Sequence, residues 1–281
     1  MKRNGYSILV LAAVMALGLL AGGLAVADTI VCPTPIACPG YTPNPNSAVL
    51  DLRVFNDCPA SVLNYTNNYP AYIAITDADE GCTGTNLHAW SLSEDCMNEA
   101  VFENCSHYRF AAVVTICCGS YGEAGLRLSP WRSPLVDGRF MLNAGSGEIA
   151  CFGGRLPFYS FTAAYGVRYV PGQAAWMQIE YDPNDLSETA PGTILYQLYL
   201  NGVGYSSPKL KFDMGNELEA AEHGLWGELY PSYVGGYMQA PNWNGGLAYC
   251  MNVTWENMDY QGPSATPAKS STWGQLKSMY R

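Results

Sequence analysis

Charge is scarce in this 281-residue chain. Only 14% of its residues are Asp, Glu, Lys or Arg, and 14 basic residues face 24 acidic ones. A protein that neutralises nucleic-acid phosphates needs the opposite balance, so that class of partner is excluded. Histidine is scarcer still. His88, His107 and His223 are scattered, and no Cys-x-x-Cys pair occurs, so the spacings that hold zinc are missing. There is no Gly-x-Ser-x-Gly elbow, and none of the three histidines lies near an obvious nucleophile. Each reads as a surface or hydrogen-bonded structural histidine. After Ala27 no apolar run approaches bilayer-spanning length, so no membrane span is expected in the mature chain.

What is present begins with an export signal. Lys2 and Arg3 precede an apolar run from Ile8 to Leu20, followed by Ala21-Gly22-Gly23 and Ala25-Val26-Ala27. A basic end, an apolar core, helix-breaking glycines and small residues at −3 and −1 are what signal peptidase reads. Residues 1–27 are therefore expected to be removed after Ala27. An uncleaved anchor is the competing reading, and the glycine pair and small-residue site weigh against it. The expected location is secreted or cell-surface. Losing Lys2 and Arg3 leaves 12 basic against 24 acidic residues, a balance that suits solubility, calcium or a neutral partner.

All ten cysteines follow the proposed cut. An even number in an exported chain reads first as a disulfide framework. Sequence proximity suggests Cys32 with Cys38, Cys58 with Cys82, and Cys96 with Cys105. That leaves Cys117, Cys118, Cys151 and Cys250 to tie distant strands. Cys117 and Cys118 are adjacent and strained as a pair, so each is expected to face a different partner.

Twenty tyrosines, seven tryptophans and 29 glycines point to strands and turns. Residues 28–47 hold five prolines and two cysteines and read as a stapled N-terminal arm. Residues 48–261 read as one all-β domain of short runs bounded by turn residues. The clearest runs are Val49–Phe55, Ala71–Thr76, Tyr108–Ile116, Gly138–Leu142, Ile149–Phe152, Ala175–Tyr181, Thr193–Leu200, Lys209–Phe212 and Tyr249–Trp255. Asn201-Gly202 follows an apolar strand directly and predicts a tight hairpin. Only Asn216–His223 has helical composition, stopped by Gly224. Residues 262–281 begin as a Pro/Ser/Ala spacer and end in an aromatic, basic decapeptide, Thr272–Arg281. Trp273, Leu276 and Tyr280 share one helical stripe there, which suggests a sorting tail docking on export or surface-attachment machinery. A frayed end without function is the alternative.

Four stretches resemble the concanavalin A-like lectin/glucanase superfamily, antiparallel jelly-roll β-sandwiches that include laminin-G-like modules. They are Gly125-Leu126-Arg127-Leu128-Ser129, Trp176-Met177-Gln178-Ile179-Glu180-Tyr181, Ile194–Leu200 with Asn201-Gly202, and Val253-Thr254-Trp255-Glu256-Asn257-Met258. The resemblance covers roughly residues 48 to 260 and rests on pattern and order. It implies a lectin-like domain that binds a glycan or cell-surface polymer. A glycoside hydrolase or polysaccharide lyase of the same fold, and a structural surface or filament subunit, stay open.

The run 175–182 carries the most chemistry. Strand alternation puts Met177, Ile179 and Tyr181 on one face and Trp176, Gln178, Glu180 and Asp182 on the other. A flat aromatic beside an amide and carboxylates is what a sugar ring needs. The bland alternative is a solvated outer face with one stray Trp. Laminarinase-like members carry Glu-x-Asp-x-x-Glu, and the matching residues here are Glu180, Asp182 and Asp185. Asp replaces the third Glu, and Pro183-Asn184 interrupts the strand that would set a retaining pair's spacing. Trp226, Tyr230, Tyr237 and Trp243 lie in Gly-rich stretches, Leu225–Pro231 and Tyr233–Trp243, and are expected on an exposed binding rim or as a cover for the core. Asp77, Asp79 and Glu80 crowd before Gly81 and could hold a structural calcium ion, although a plain acidic turn explains them as well.

Overall fold

A computed structural model describes residues 43–79, 84–102, 107–117, 121–129, 138–153, 157–182, 193–211, 233–242 and 249–262. Within these, 15 strands and one helix follow in chain order. The first half holds β1 (Ser47–Asn56), β2 (Val62–Asn68), β3 (Tyr72–Asp79), β4 (Gly84–Ser93), β5 (Tyr108–Ile116), β6 (Glu123–Ser129), β7 (Gly138–Asn143) and β8 (Ile149–Phe152). The second holds β9 (Tyr159–Ser160), α1 (Phe161–Tyr165), β10 (Ala175–Asp182), β11 (Thr193–Leu200), β12 (Val203–Ser206), β13 (Leu210–Lys211), β14 (Tyr233–Asn242) and β15 (Tyr249–Gln261). The expected helix at 216–223 lies outside the described residues.

The strands form two antiparallel sheets. A seven-stranded sheet has the order β1-β4-β14-β6-β7-β8-β9. An eight-stranded sheet has the order β12-β11-β10-β5-β15-β3-β2, with β13 also on β11. The chain switches layers repeatedly, so strands distant in sequence become neighbours.

Period-two burial explains why these segments pair. In β11, Ile194, Tyr196, Leu198 and Leu200 are buried while Thr193, Leu195, Gln197 and Tyr199 are half-exposed. Met177, Ile179 and Tyr181 of β10 point into the core as the alternation predicts. Aromatic side chains fill the space between the layers. Trp90 meets Trp255 and Phe110 edge-on, with ring centroids 5.9 and 5.8 Å apart. Phe140 stacks on Phe161 at 5.4 Å, which docks α1 onto the core. Such contacts add about 0.5–1.5 kcal/mol each beyond the area they bury.

Turn and cap chemistry closes the elements. Asn201 and Gly202 both adopt positive φ, 53° and 81°, so the β11–β12 hairpin forms where the dipeptide predicts it. Ser160 caps α1 by accepting from the Ala163 N–H at 3.0 Å. Gly166 ends that helix in the left-handed region.

The central strand β14 departs from expectation. Its stretch reads as a Gly-rich loop, yet it lies between β4 and β6. The glycines make room rather than flexibility. A Cβ on Gly235 would fall 2.0 Å from the Trp90 carbonyl oxygen, and one on Gly236 would fall 2.4 and 2.5 Å from the indole nitrogens of Trp90 and Trp255. Among the described residues, no helix is long and apolar enough to cross a membrane.

Candidate ligand-binding site

The outer face of the eight-stranded sheet gathers three of the predicted residues. β10 lies between β11 and β5, so Trp176 stands opposite Tyr199 on one side and Val113 on the other. One row on, Gln178 faces Gln197 and Ala111, and its Nε2 donates to Gln197 Oε1 at 2.9 Å. In the next row Glu180 faces Leu195 and Arg109. Trp176 and Tyr199 are half-buried, whereas Gln178 is tucked down beside its partner amide. Charge of both signs borders this strip. His107 Nε2 lies 3.8 Å from Glu180 Oε1, Arg109 lies 3.8 Å from Asp259, and Lys209 lies 3.6 Å from Asp182. The result is a platform of two aromatic rings, a bonded amide pair and a charged end.

Tyr199, Gln197, Arg109 and His107 were not singled out from sequence. The polar positions of β11 alternate as regularly as those of β10, and that signal could have found Gln197 and Tyr199. Asp185 lies outside the described residues. Glu180 and Asp182 share the outer face, each beside a cationic or protonatable side chain.

Tyr237 lies elsewhere. It is fully buried in β14 of the seven-stranded sheet rather than on an exposed rim, because the small glycines let that strand pack centrally. The Arg139 guanidinium sits 5.0 Å from the centre of its ring. Arg139 also donates to Glu123 at 2.6 Å and to Gln239 at 2.8 Å. One face of the ring is therefore occupied, and the cluster reads as a self-satisfied ion pair. Trp226, Tyr230 and Trp243 lie outside the described residues.

The acidic segment also resolves differently from a surface loop. Ile73, Ile75 and Asp77 alternate inward along β3, so Asp77 enters the interior as a strand residue, 2% exposed. Its Oδ2 accepts from His88 Nε2 at 2.9 Å and from Asn86 Nδ2 at 2.8 Å, both on β4 of the other sheet. The Arg53 N–H donates to His88 Nδ1 at 3.0 Å, which leaves Nε2 as the nitrogen that carries the proton. Burial pushes the Asp77 carboxyl up, but hydrogen bonds from His88, Ser61 and Asn86 outweigh it and hold the group below the usual aspartate range. Asp77 thus has a structural task that its place in the acidic run did not suggest. Asp79 ends β3, and Glu80 lies outside the described residues. Among the described residues, no three His, Cys, Asp or Glu side chains gather as a metal ion requires.

Cys58 is disulfide-bonded. Its expected partner, Cys82, lies outside the described residues, as do Cys32, Cys38, Cys105 and Cys118. Cys96 carries an exposed free thiol, so the expected Cys96–Cys105 bridge is not made in this structure. Asp95 shapes the turn that holds Cys96, accepting from the N–H groups of Met97 and Asn98 at 2.9 and 2.7 Å. Cys96 itself takes a positive φ of 62°. Proximity in sequence to Cys105 says nothing about that local geometry. Cys151 is buried in the core of the seven-stranded sheet, where burial drives its thiol pKa well up.

Two antiparallel sheets, crossed repeatedly by the chain and closed on one aromatic core, define the architecture. The fold is an antiparallel jelly-roll β-sandwich. No family model and no curated protein matches the sequence. Solved structures similar to this jelly roll include the carbohydrate-binding module CBM66 from Bacillus subtilis, with a TM-score of 0.42 and 8% identity over 77% of this chain and 97% of that one. A legume lectin-like domain from Entamoeba histolytica gives 0.42 and 11% over 76% and 90%. Alginate lyase A1-II′, of polysaccharide lyase family 7, gives 0.41 and 12% over 71% and 86%.

Proposed function

We propose that this jelly roll is an exported, non-catalytic glycan-binding module working through the outer face of its eight-stranded sheet. One observation carries the reading: Trp176 stands directly opposite Tyr199, one row from the hydrogen-bonded Gln178–Gln197 pair. A sugar presents an apolar ring face and a rim of hydroxyls. Two half-buried aromatic side chains offer the first a surface, and amides with Glu180 and Arg109 offer the second donors and acceptors. Because the pairing is fixed by a regular ladder, the platform is preorganised, which lowers the cost of binding. The deficit of basic residues favours a neutral glycan over a highly charged one.

The test is calorimetric titration against a panel of polysaccharides and oligosaccharides, with release of reducing or unsaturated ends followed in parallel. Saturable binding without turnover is expected. Trp176→Ala should weaken it by about 1–3 kcal/mol, roughly 5- to 150-fold, with the far-UV circular dichroism unchanged. Unchanged affinity in that variant would remove the platform from consideration. Sustained release of chain ends would replace the binding module with a hydrolase or lyase.

A further inference from the structure

We propose that Cys117 and Cys250 are an oxidisable pair that closes into a disulfide joining β5 to β15. Nothing in this pairing depends on glycan binding. The ladder between these strands ends at Ile116 opposite Val253. Cys117, one residue on, is held by a single backbone bond, its N–H donating to the Asn252 carbonyl at 2.9 Å. Cys117 therefore stands opposite Asn252, and Cys250 lies two residues along β15, on the same side of the sheet. Both cysteines are exposed. The Cys250 thiol pKa is raised, first by burial, then by the nearby Cys117 thiolate and by Asp77.

In a regular ladder such a diagonal holds the two Cβ atoms farther apart than a disulfide accepts. Cys117 is beyond the last paired residue of β5, however, so closure requires only this chain end to shift, at the cost of the bond from its N–H to the Asn252 carbonyl. Among the described cysteines the alternatives are poor. Cys151 is buried in the other layer, and Cys58 is already bonded. Cys96 sits on the turn after β4, also in the other layer.

Closure needs an acceptor of two electrons, and a small-molecule disulfide supplies it. One cysteine thiolate attacks the reagent, forming a mixed disulfide and expelling one thiol. The other thiolate then attacks the protein sulfur and expels the second thiol. One reagent S–S bond breaks, one protein S–S bond forms, and the two protons end on the released thiols.

The experiment incubates the purified protein with oxidised glutathione, blocks remaining thiols by alkylation and maps peptides without reduction. The expected result is a peptide linking the segment with Cys117 to the segment with Cys250, lost in C117S and retained in C118S. The second variant matters because Cys117 and Cys118 share one peptide. The proposal is overturned if the link survives C117S, if Cys250 pairs with another cysteine, or if Cys250 is recovered alkylated from the oxidised protein. A fold check by circular dichroism accompanies C117S. Differential alkylation of wild-type Cys250 before and after oxidation follows the same closure without any substitution.

Discussion

Asp77→Ala should be among the most destabilising single changes in the molecule, and the structure sets the size. The carboxylate is 2% exposed and accepts from His88 Nε2 and Asn86 Nδ2 across the two sheets. Removing it leaves two buried donors without their acceptor, at about 1–3 kcal/mol each. Together they set a cost of about 2–6 kcal/mol. With a urea slope of about 2–3 kcal/mol/M for a domain of this size, the unfolding midpoint should fall by about 1–3 M.

The pH dependence supplies an independent check. The folded carboxyl is held below its ordinary value, so its contribution is complete above the unfolded value of about 3.9 and is lost as pH falls through the folded value. The gap between wild type and Asp77→Ala should therefore be constant from neutral pH to about 4 and shrink below that. A double-mutant cycle with His88→Ala measures the coupling directly, and about 1–3 kcal/mol is expected for groups in contact. A cost below about 1 kcal/mol for Asp77→Ala, or strict additivity with His88→Ala, would refute the inter-sheet network as a source of stability.

Gly236→Ala inserts a methyl 2.4 and 2.5 Å from the indole nitrogens of Trp90 and Trp255, both fully buried. Overpacking of about 1–3 kcal/mol is expected, with a further loss of about 1 if Trp255 can no longer donate to Gly125, a bond of 3.0 Å. A thermal midpoint equal to wild type would show that β14 is not packed this tightly. Cys151 is buried with its thiol pKa driven up, so at neutral pH a thiol reagent should modify Cys117 and Cys96 in the reduced native protein long before Cys151. Prompt labelling of Cys151 before unfolding would contradict its placement in the core.

Local signals were legible wherever backbone geometry and side-chain pattern agreed. Asn201-Gly202 names its own turn, and the alternation of Met177, Ile179 and Tyr181 against Trp176, Gln178 and Glu180 assigns both faces of β10. Other features failed for identifiable reasons. β14 was hidden because glycines required by two indoles of the opposing layer look like loop glycines. β4 shows no alternation, since its side chains from Asn86 to Ser93 are all buried, half beneath the sandwich core and half in a cluster with Tyr237. α1 is five residues long, too short for a helical period to emerge. Asp77 was masked by its acidic neighbours, although Ile73, Ile75 and Asp77 already shared one parity. The Arg139–Tyr237 contact joins strands about a hundred residues apart, and residue types alone do not reveal such pairings.

The order of strands also constrains how the molecule comes into being. β14 sits between β4 and β6, and β15 sits between β5 and β3, so the last two strands among the described residues are central in both layers. A nascent chain that has delivered everything up to β13 holds two sheets with their middles missing and four unpaired inner edges. Neither half can rest as a finished intermediate. Assembly must wait for β14 and β15, and the long sequence separations make it slow. Until β15 arrives, the open edges are exposed to pairing with other chains. Truncation just before β14 should accordingly yield aggregate rather than a smaller domain.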